Sequence, residues 1–302
     1  MATRREPAIR SGSVLTGRNG IRFPPIRQLG PADLGNCVAL SVDRGWSPEK
    51  SKWSLLLEVA EGFGIDAPDG GLAGAVVLSR YGKELASVGM MLVAARYGRR
   101  GLGRALMGHV LDAAGGATVT LFATDVGKPL YEKLGFSTIR RSAAFVGRFR
   151  AKPAPADNSK MRSRPAVPAD MTAILDIDLT AFGADRGQIL TRLPGFAEQL
   201  RVLDPQAGTA GYAAAWRNPP STVIGPVVAA DAAGARRLIA DLAAQVRGPV
   251  RLDLDPDRPG LPGWVNAHGL EPVSRTAVMA HGDWNSRGNP DWLFAPISVA
   301  LA

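Results

Sequence analysis

Apolar residues recur along this chain with two periods, and the switches between them mark out its elements. Ile26–Leu29 reads as a short strand. Pro31-Ala32-Asp33-Leu34 opens a helix with proline in its first turn, and Trp53–Ala60 reads as a second helix. Gly62–Asp66 and Leu72–Ser79 flank Ala67-Pro68-Asp69-Gly70-Gly71, and an Asp-Gly between apolar runs predicts a hairpin. Ser87–Ala94 is a third apolar run that enters a loop of glycine and arginine. Arg104–Ala114 follows as a helix with Leu106, Val110 and Leu111 on one face. Thr118–Ala123 is a strand, and Pro129–Leu134 a short helix stopped by Gly135.

The second half repeats this plan loosely. Pro168-Ala169-Asp170-Met171 echoes the first helix start, and Gly211–Trp216 and Val223–Ala229 read as strands around Asn218-Pro219-Pro220. Ala232–Val246 is a helix, Val250–Leu254 a strand, and Leu261–His268 a short helix closed by Gly269 as Gly135 closes its counterpart. Between the halves, the proline-rich stretch 151–168 lacks periodicity and reads as a linker. The expected organisation is a basic tail at 1–22, one domain at 23–150, a linker at 151–162 and an altered second copy at 163–302.

Charge changes this picture in one respect. Residues 1–150 hold 21 basic and 12 acidic side chains and residues 151–302 hold 15 of each, so the net charge of +9 lies wholly in the first half. Six arginines and one glutamate fall within residues 1–27. This tail and one arginine-rich loop account for the excess, and basic residues do not alternate with aromatics, so a nucleic-acid partner is set aside. The apolar run Leu85–Ala95 is 11 residues, about half of the roughly 20 a membrane helix needs. With one cysteine and three scattered histidines no metal is expected, and a cytoplasmic location with no membrane partner is. Oligomeric state is not legible.

The candidate chemistry lies in Arg96-Tyr97-Gly98-Arg99-Arg100-Gly101-Leu102-Gly103-Arg104-Ala105-Leu106-Met107. An apolar strand runs into three glycines and several arginines, then into a helix whose first amides have no helical acceptor. The positive end of the helix dipole and the arginines favour an anion there, and glycine lets backbone approach it or take positive φ. A Walker loop requires Gly-Lys-Ser/Thr, whereas Gly103 is followed by Arg104-Ala105. A dinucleotide fingerprint requires a small third residue, and Leu106 stands there.

Together with Leu121-Phe122-Ala123-Thr124-Asp125-Val126-Gly127-Lys128-Pro129-Leu130-Tyr131-Glu132-Lys133-Leu134-Gly135-Phe136, this loop resembles the two signatures of the GNAT acyltransferases. The resemblance covers about residues 24–150. From about 163 a looser likeness to the C-terminal domain of tandem members is carried by Ala181–Arg186 and Ile224–Ala229. It implies an α/β (α+β) fold of two tandem GNAT-like domains, each a mixed, mostly antiparallel sheet flanked by helices, the second degenerate. It also implies transfer of an acetyl group from acetyl-CoA to the amine of a small molecule or peptide by direct attack. The alternative is a non-catalytic acyl-CoA sensor.

By the same resemblance the Leu92 amide polarises the thioester, Met91 and Val93 pair with pantetheine, and Gly98, Arg99, Arg100, Gly101, Leu102, Gly103, Arg104 and Ala105 hold the pyrophosphate. Thr124 and Lys128 complete the coenzyme contacts, and Tyr131 protonates the leaving thiolate. The strand glutamate of many relatives is missing from Ala86–Met91, which leaves Glu61, Asp66, Glu84 and Asp125 as candidate bases, each also readable as a surface acid. Asp231 at the equivalent helix start of the second half would repel a pyrophosphate, so one coenzyme site is expected. Trp46 reads as an acceptor-pocket or a core residue, His109 as a helix-surface residue and Cys37 as core.

Overall fold

A computed structural model describes residues 22–152, 162–203, 210–285 and 288–301 and the backbone of 15–16. Nearly all of the expected tail and linker lies outside these. Contacts divide the chain into two compact units, Met1–Leu78 with Met90–Gly115, and Ser79–Gly89 with Gly116–Ala302. Both cuts between the first unit and Ser79–Gly89 fall inside strands.

In the first unit β1 (Leu15–Thr16) pairs with β2 (Arg22–Phe23), and β3 (Arg27–Leu29) lies antiparallel to β4 (Glu61–Asp66). Between β3 and β4 come α1 (Leu34–Asp43) and α2 (Lys50–Val59). The hairpin at Asp69-Gly70 returns β4 into β5 (Leu72–Tyr81), whose neighbour is β6 (Leu85–Val93), and α3 (Leu102–Ala114) follows. Trp53 anchors α2 to α1: its ring is fully buried and its Nε1–H donates to Ser41 Oγ at 2.8 Å. Leu106 of α3 packs over Gly74 of β5, where a Cβ would stand 2.9 Å from Leu106 Cδ1. Only glycine lets helix and strand come so close there.

The second unit begins with β7 (Thr118–Ala123), which pairs in parallel with Leu85–Val88, and continues through α4 (Lys128–Glu132) and β8 (Ser137–Gly147). Then come β9 (Ser163–Pro165), α5 (Met171–Phe182), α6 (Gly187–Leu190), α7 (Leu193–Phe196) and β10 (Gln199–Leu203). The meander β11 (Gly211–Asn218) and β12 (Ser221–Ala229) leads to α8 (Ala232–Ala243) and β13 (Val250–Leu254). α9 (Leu261–Ala267), β14 (Leu270–His281) and β15 (Leu293–Ala295) close the chain. Leu238, Ile239 and Leu242 of α8 are fully buried against Ala213, Ala215, Ile224, Val227 and Leu252 of the sheet. Most strand pairs are antiparallel, and helices flank the sheets, as expected.

Sequence periodicity missed β8 and β14, and these strands change places. β14 lies between β7 and β8, and β8 pairs on its other edge with β13. The last strand following the first motif region thus joins the second half's sheet, while the chain's last long strand joins β7. Neither alternates cleanly. Arg140 and Arg141 interrupt β8, and Pro272 lacks the amide a ladder needs. A register shift between Pro272 and Ser274 pushes Val273 out to 62% exposure, which absorbs the proline.

The repeated Pro-Ala-Asp starts carry one local device. Asp33 accepts from the Gly30 amide (2.9 Å) and from Arg27 (2.8 and 3.1 Å); Asp170 accepts from the Val167 amide and Arg164 (2.7 Å each). The Arg164 hydrogen bond and then the Val167 amide hold the Asp170 carboxyl down to about 2. A carboxyl lowered on folding stabilises fully above its unfolded pKa of about 4 and loses that contribution as pH falls toward 2. Asp170→Asn is therefore expected to lower Tm at pH 7 and to flatten its dependence on pH between about 4 and 2. Thermal melts across that range check it.

Candidate functional site

The glycine–arginine loop lies in the first unit. β6 enters it irregularly: Met90 has φ 51, a left-handed conformation rare for a side-chain-bearing residue. Such strain concentrates where a strand must re-aim its amides. Beyond it Leu92 is buried, and Met91 and Val93 are half-buried. The loop is then tied back twice. The Ala95 amide donates to Asp43 Oδ2 at 2.7 Å, and Asp69 Oδ1 accepts from Tyr97 Oη at 2.6 Å and from Arg96 at 3.0 Å. Tyr97 is buried edge-on to Phe23, with centroids 5.2 Å apart. Sequence reasoning took Asp69 only as a turn residue and passed over Asp43.

Past Tyr97 the backbone opens. Gly98 keeps an ordinary extended conformation (φ −55, ψ 152), and it is Arg99 that takes positive φ (60), followed by Gly101 (88) as N-cap of α3. Gly103 sits within the helix. The first bond of α3 runs from the Ala105 amide to the Gly101 carbonyl at 3.0 Å. The amides of Gly101, Leu102 and Gly103 precede it and have no helical acceptor. Left-handed residues at Arg99 and Gly101 turn successive N–H groups toward one side, an arrangement that attracts anions. Arg100 lies over the Tyr97 ring (5.8 Å), and its Nη1 is buried with no acceptor among the described residues. Arg99 and Arg104 are exposed beside it. The open amides form a helix start suited to an anion, and the Arg100 Nη1 is a second donor in this loop that is left without a partner.

The second motif lies in the other unit. Thr124 follows β7 and turns the chain toward α4: its carbonyl accepts from the Gly127 and Lys128 amides (3.0 and 2.9 Å) and its Oγ1 from the Gly127 amide (3.3 Å). Lys128 reaches Glu132 at 3.7 Å. Tyr131 is 8% exposed, tilted against Phe136 at 5.9 Å, and its hydroxyl has no partner among the described residues. Burial pushes its phenol up to about 12, so it keeps its proton at neutral pH. A Cβ on Gly127 would come within 3.0 Å of the Tyr131 ring, so that glycine makes room for it.

Two segments of this chain, residues 60–138 and 174–295, match the Acetyltransferase (GNAT) domain. The uncharacterised N-acetyltransferase YitH of Bacillus subtilis (strain 168) is 31% identical over 235 residues, which is 76% of this chain and 81% of that protein. The chain belongs to the GNAT acetyltransferase family. Its fold is similar to that of a putative acetyltransferase from Pyrococcus horikoshii, with a TM-score of 0.75 at 21% identity over 92% of this chain and 95% of that one. A tandem GNAT protein from the clavulanic acid biosynthesis pathway superposes with a TM-score of 0.61 at 17% identity, over 86% and 99% of the two chains. The tandem GNAT organisation expected from the repeated helix starts is therefore present, and the chain is an acetyltransferase.

The second GNAT domain lacks the open amides of the first. Asp231 caps α8, its Oδ1 accepting from the Gly234 amide at 2.7 Å, so a carboxylate already fills the position an anion would need. Among the candidate bases, Asp66 is paired with Arg27 at 2.8 Å, whereas Glu84 and Asp125 are exposed and Glu61 is half-buried. His109 packs edge-on to Phe63 at 4.6 Å, Trp46 is 40% exposed and so not a core residue, and Cys37 is fully buried with its thiol pushed up to about 12 by desolvation. No described helix is long and apolar enough to cross a membrane. Among the described residues no group of three or more metal-ligating side chains is found. Because Gly101 holds φ 88, Gly101→Ala is expected to destabilise the fold by about 1 kcal/mol, measured by urea unfolding.

Proposed function

We propose that this protein transfers an acetyl group from acetyl-CoA to an amine. One observation carries the choice of donor: a loop with open amides at Gly101–Gly103 and the unpartnered Nη1 of Arg100 has the donor set a pyrophosphate accepts. Acetyl-CoA supplies an acyl group activated as a thioester. Gly98, Arg99, Arg100, Gly101, Leu102, Gly103, Arg104 and Ala105 hold its diphosphate, and the strand amides and carbonyls of Met91 and Val93 align the pantetheine arm as an added strand would. Thr124 and Lys128 add polar contacts. The Leu92 amide donates to the carbonyl oxygen as negative charge gathers there, in a buried setting where such a bond is strong.

The remaining work is proton transfer. The amine attacks the carbonyl carbon, the carbon–sulfur bond breaks, the nitrogen loses a proton and the sulfur gains one. Tyr131 donates the second proton, and a phenol held protonated by burial is suited to donating and not to accepting. Glu61, Asp66, Glu84 and Asp125 remain candidates for the first, directly or through water. The domain boundaries at 23–150 and 163–302 belong to the same proposal, with the coenzyme bound once, and a cytoplasmic setting is its natural place.

Two substitutions separate binding from chemistry. Gly103→Asp puts a carboxylate against the anion site and is expected to abolish acetyl-CoA binding in calorimetry. Unchanged affinity would sink the pyrophosphate assignment. Tyr131→Phe is expected to lower turnover about 10²-fold with acetyl-CoA affinity preserved, read by thiol release. Full turnover in that variant would remove the tyrosine from the reaction.

A further inference from the structure

A cavity of about 110 Å³ lies wholly within the second unit. Its apolar walls are Phe122 of β7, Phe182 at the end of α5, Val278 of β14, Trp284 and Phe294 of β15. Folded interiors normally close such a space, because side chains that face a void lose dispersion contacts. A cavity of this make-up that stays open, mostly apolar with few polar groups, is the usual seat of a small molecule.

One wall is held in place by bonds that do not serve packing. Asp178, Arg186 and Tyr212 are all buried: Arg186 donates to Asp178 at 2.5 and 3.0 Å, and the Tyr212 hydroxyl donates to the same carboxylate at 2.5 Å. The Arg186 guanidinium so fixed lies 4.1 Å over the Phe182 ring, and Tyr81 meets that ring edge-on at 5.1 Å. Tyr81 is fixed in turn, its hydroxyl donating to the Leu301 carbonyl at 2.5 Å. Phe182 is thus clamped and does not swing inward to fill the space. This gives a use to the Ala181–Arg186 segment, conspicuous in the sequence and idle in the chemistry above.

The charges around the cavity leave one cation over. Five charged side chains line it: Arg140, Arg141, Arg186, Asp253 and Asp255. Arg186 is matched by Asp178, Asp253 by Arg251 at 2.9 Å, and Arg141 more loosely by Asp257 at 3.7 Å. Asp255 faces Arg258: burial lowers the Arg258 pKa, Asp291 and Asp255 oppose that fall, and repulsion from Arg140 adds to it. Arg140 itself is exposed and makes no ion pair or hydrogen bond among the described residues. Glu84 and Asp283 line the small hollow beside it, and neither pairs with it. An anion at the rim therefore finds an uncommitted guanidinium, and its apolar body finds the aromatic walls.

We infer that this cavity is a ligand site of the second GNAT domain, and that its ligand is a short aliphatic carboxylate. The volume sets the size, being a little under the ~150 Å³ that holds benzene, so a body of about five carbons fits. Arg140 sets the charge. The domain whose α8 start is closed by Asp231 thereby has a ligand of its own, and the inference does not rest on the transferase reading.

Calorimetry on the full chain, with no coenzyme present, tests it with three probes. These are 3-methylbutanoate, 3-methylbutanamide, which keeps the body without the charge, and acetate, which keeps the charge with almost no body. The Kd of 3-methylbutanoate is expected to be at least about tenfold below that of either, the worth of one charge-assisted hydrogen bond or of a few buried methylenes. Arg140→Ala, a surface change, should bring acid and amide within about threefold, and Arg140→Glu should reverse their order. Val278→Trp, which fills the cavity, should abolish binding of 3-methylbutanoate, with a thermal melt reporting that the chain is folded. Should that variant not fold, the Arg140 pair decides alone. No binding of 3-methylbutanoate, equal affinity for acid and amide, or indifference to both Arg140 substitutions overturns the inference. Acetate binding as tightly as 3-methylbutanoate overturns it too, since it would show an exposed arginine acting without the cavity. A failure of acetyl-CoA to bind leaves these outcomes untouched and counts only against the transferase proposal.

Discussion

Amides at the start of an α-helix have no partner within it, and what a chain does with them decides what that helix end can bind. Two helix starts here treat them oppositely. At α8 Asp231 caps them, and the end is closed. At α3 the cap is Gly101, which has no side chain to offer, and the preceding residues bring arginine instead of carboxylate. The rest of the loop follows from keeping that end open. Asp43 and Asp69 draw the backbone away on the upstream side, and Tyr97 fills the space beneath, so the loop is braced without its own side chains falling onto the amides. Both acids take hydrogen bonds from positions before Gly98 and neither is part of the donor set, so they hold the loop at no expense to its positive character.

The halves of this tandem protein share local devices more than they share chemistry. The Arg27–Asp33 and Arg164–Asp170 pairs, each fixing a Pro-Ala-Asp turn, are the same construction made twice. Nothing about such a turn serves acyl transfer, so its persistence in a half whose helix start is closed marks a structural role. The second half has in turn acquired the buried Asp178–Arg186–Tyr212 cluster. Buried ion pairs add little net stability against apolar replacements, but they fix geometry, here that of one aromatic ring.

Much of the fold was legible because it is local. Helix starts at Pro31 and Pro168, the Asp69-Gly70 hairpin and the run from Thr118 to Ala123 all signal themselves within a few residues. The loop was legible as composition, yet its conformation was not: the left-handed residue is Arg99 and not Gly98, because the Tyr97 anchor and the Gly101 cap fix the path between them. β8 and β14 were illegible for another reason. Their stability comes from strands more than a hundred residues away in sequence, and their own residues, with Arg140-Arg141 and Pro272, argue against strand.

The interleaving of β14 between β7 and β8 has a consequence for how the protein is made. As the chain leaves the ribosome, β7 emerges with one edge facing no partner, and the strand that will cover it, Leu270–His281, is synthesised only after all the elements between them. At about 5–20 residues per second that interval is roughly 8–30 s. Through it an apolar strand edge is open to mispairing. The order of the strands along the chain, and not only the stability of the finished sheet, thus bears on how this protein reaches its native state.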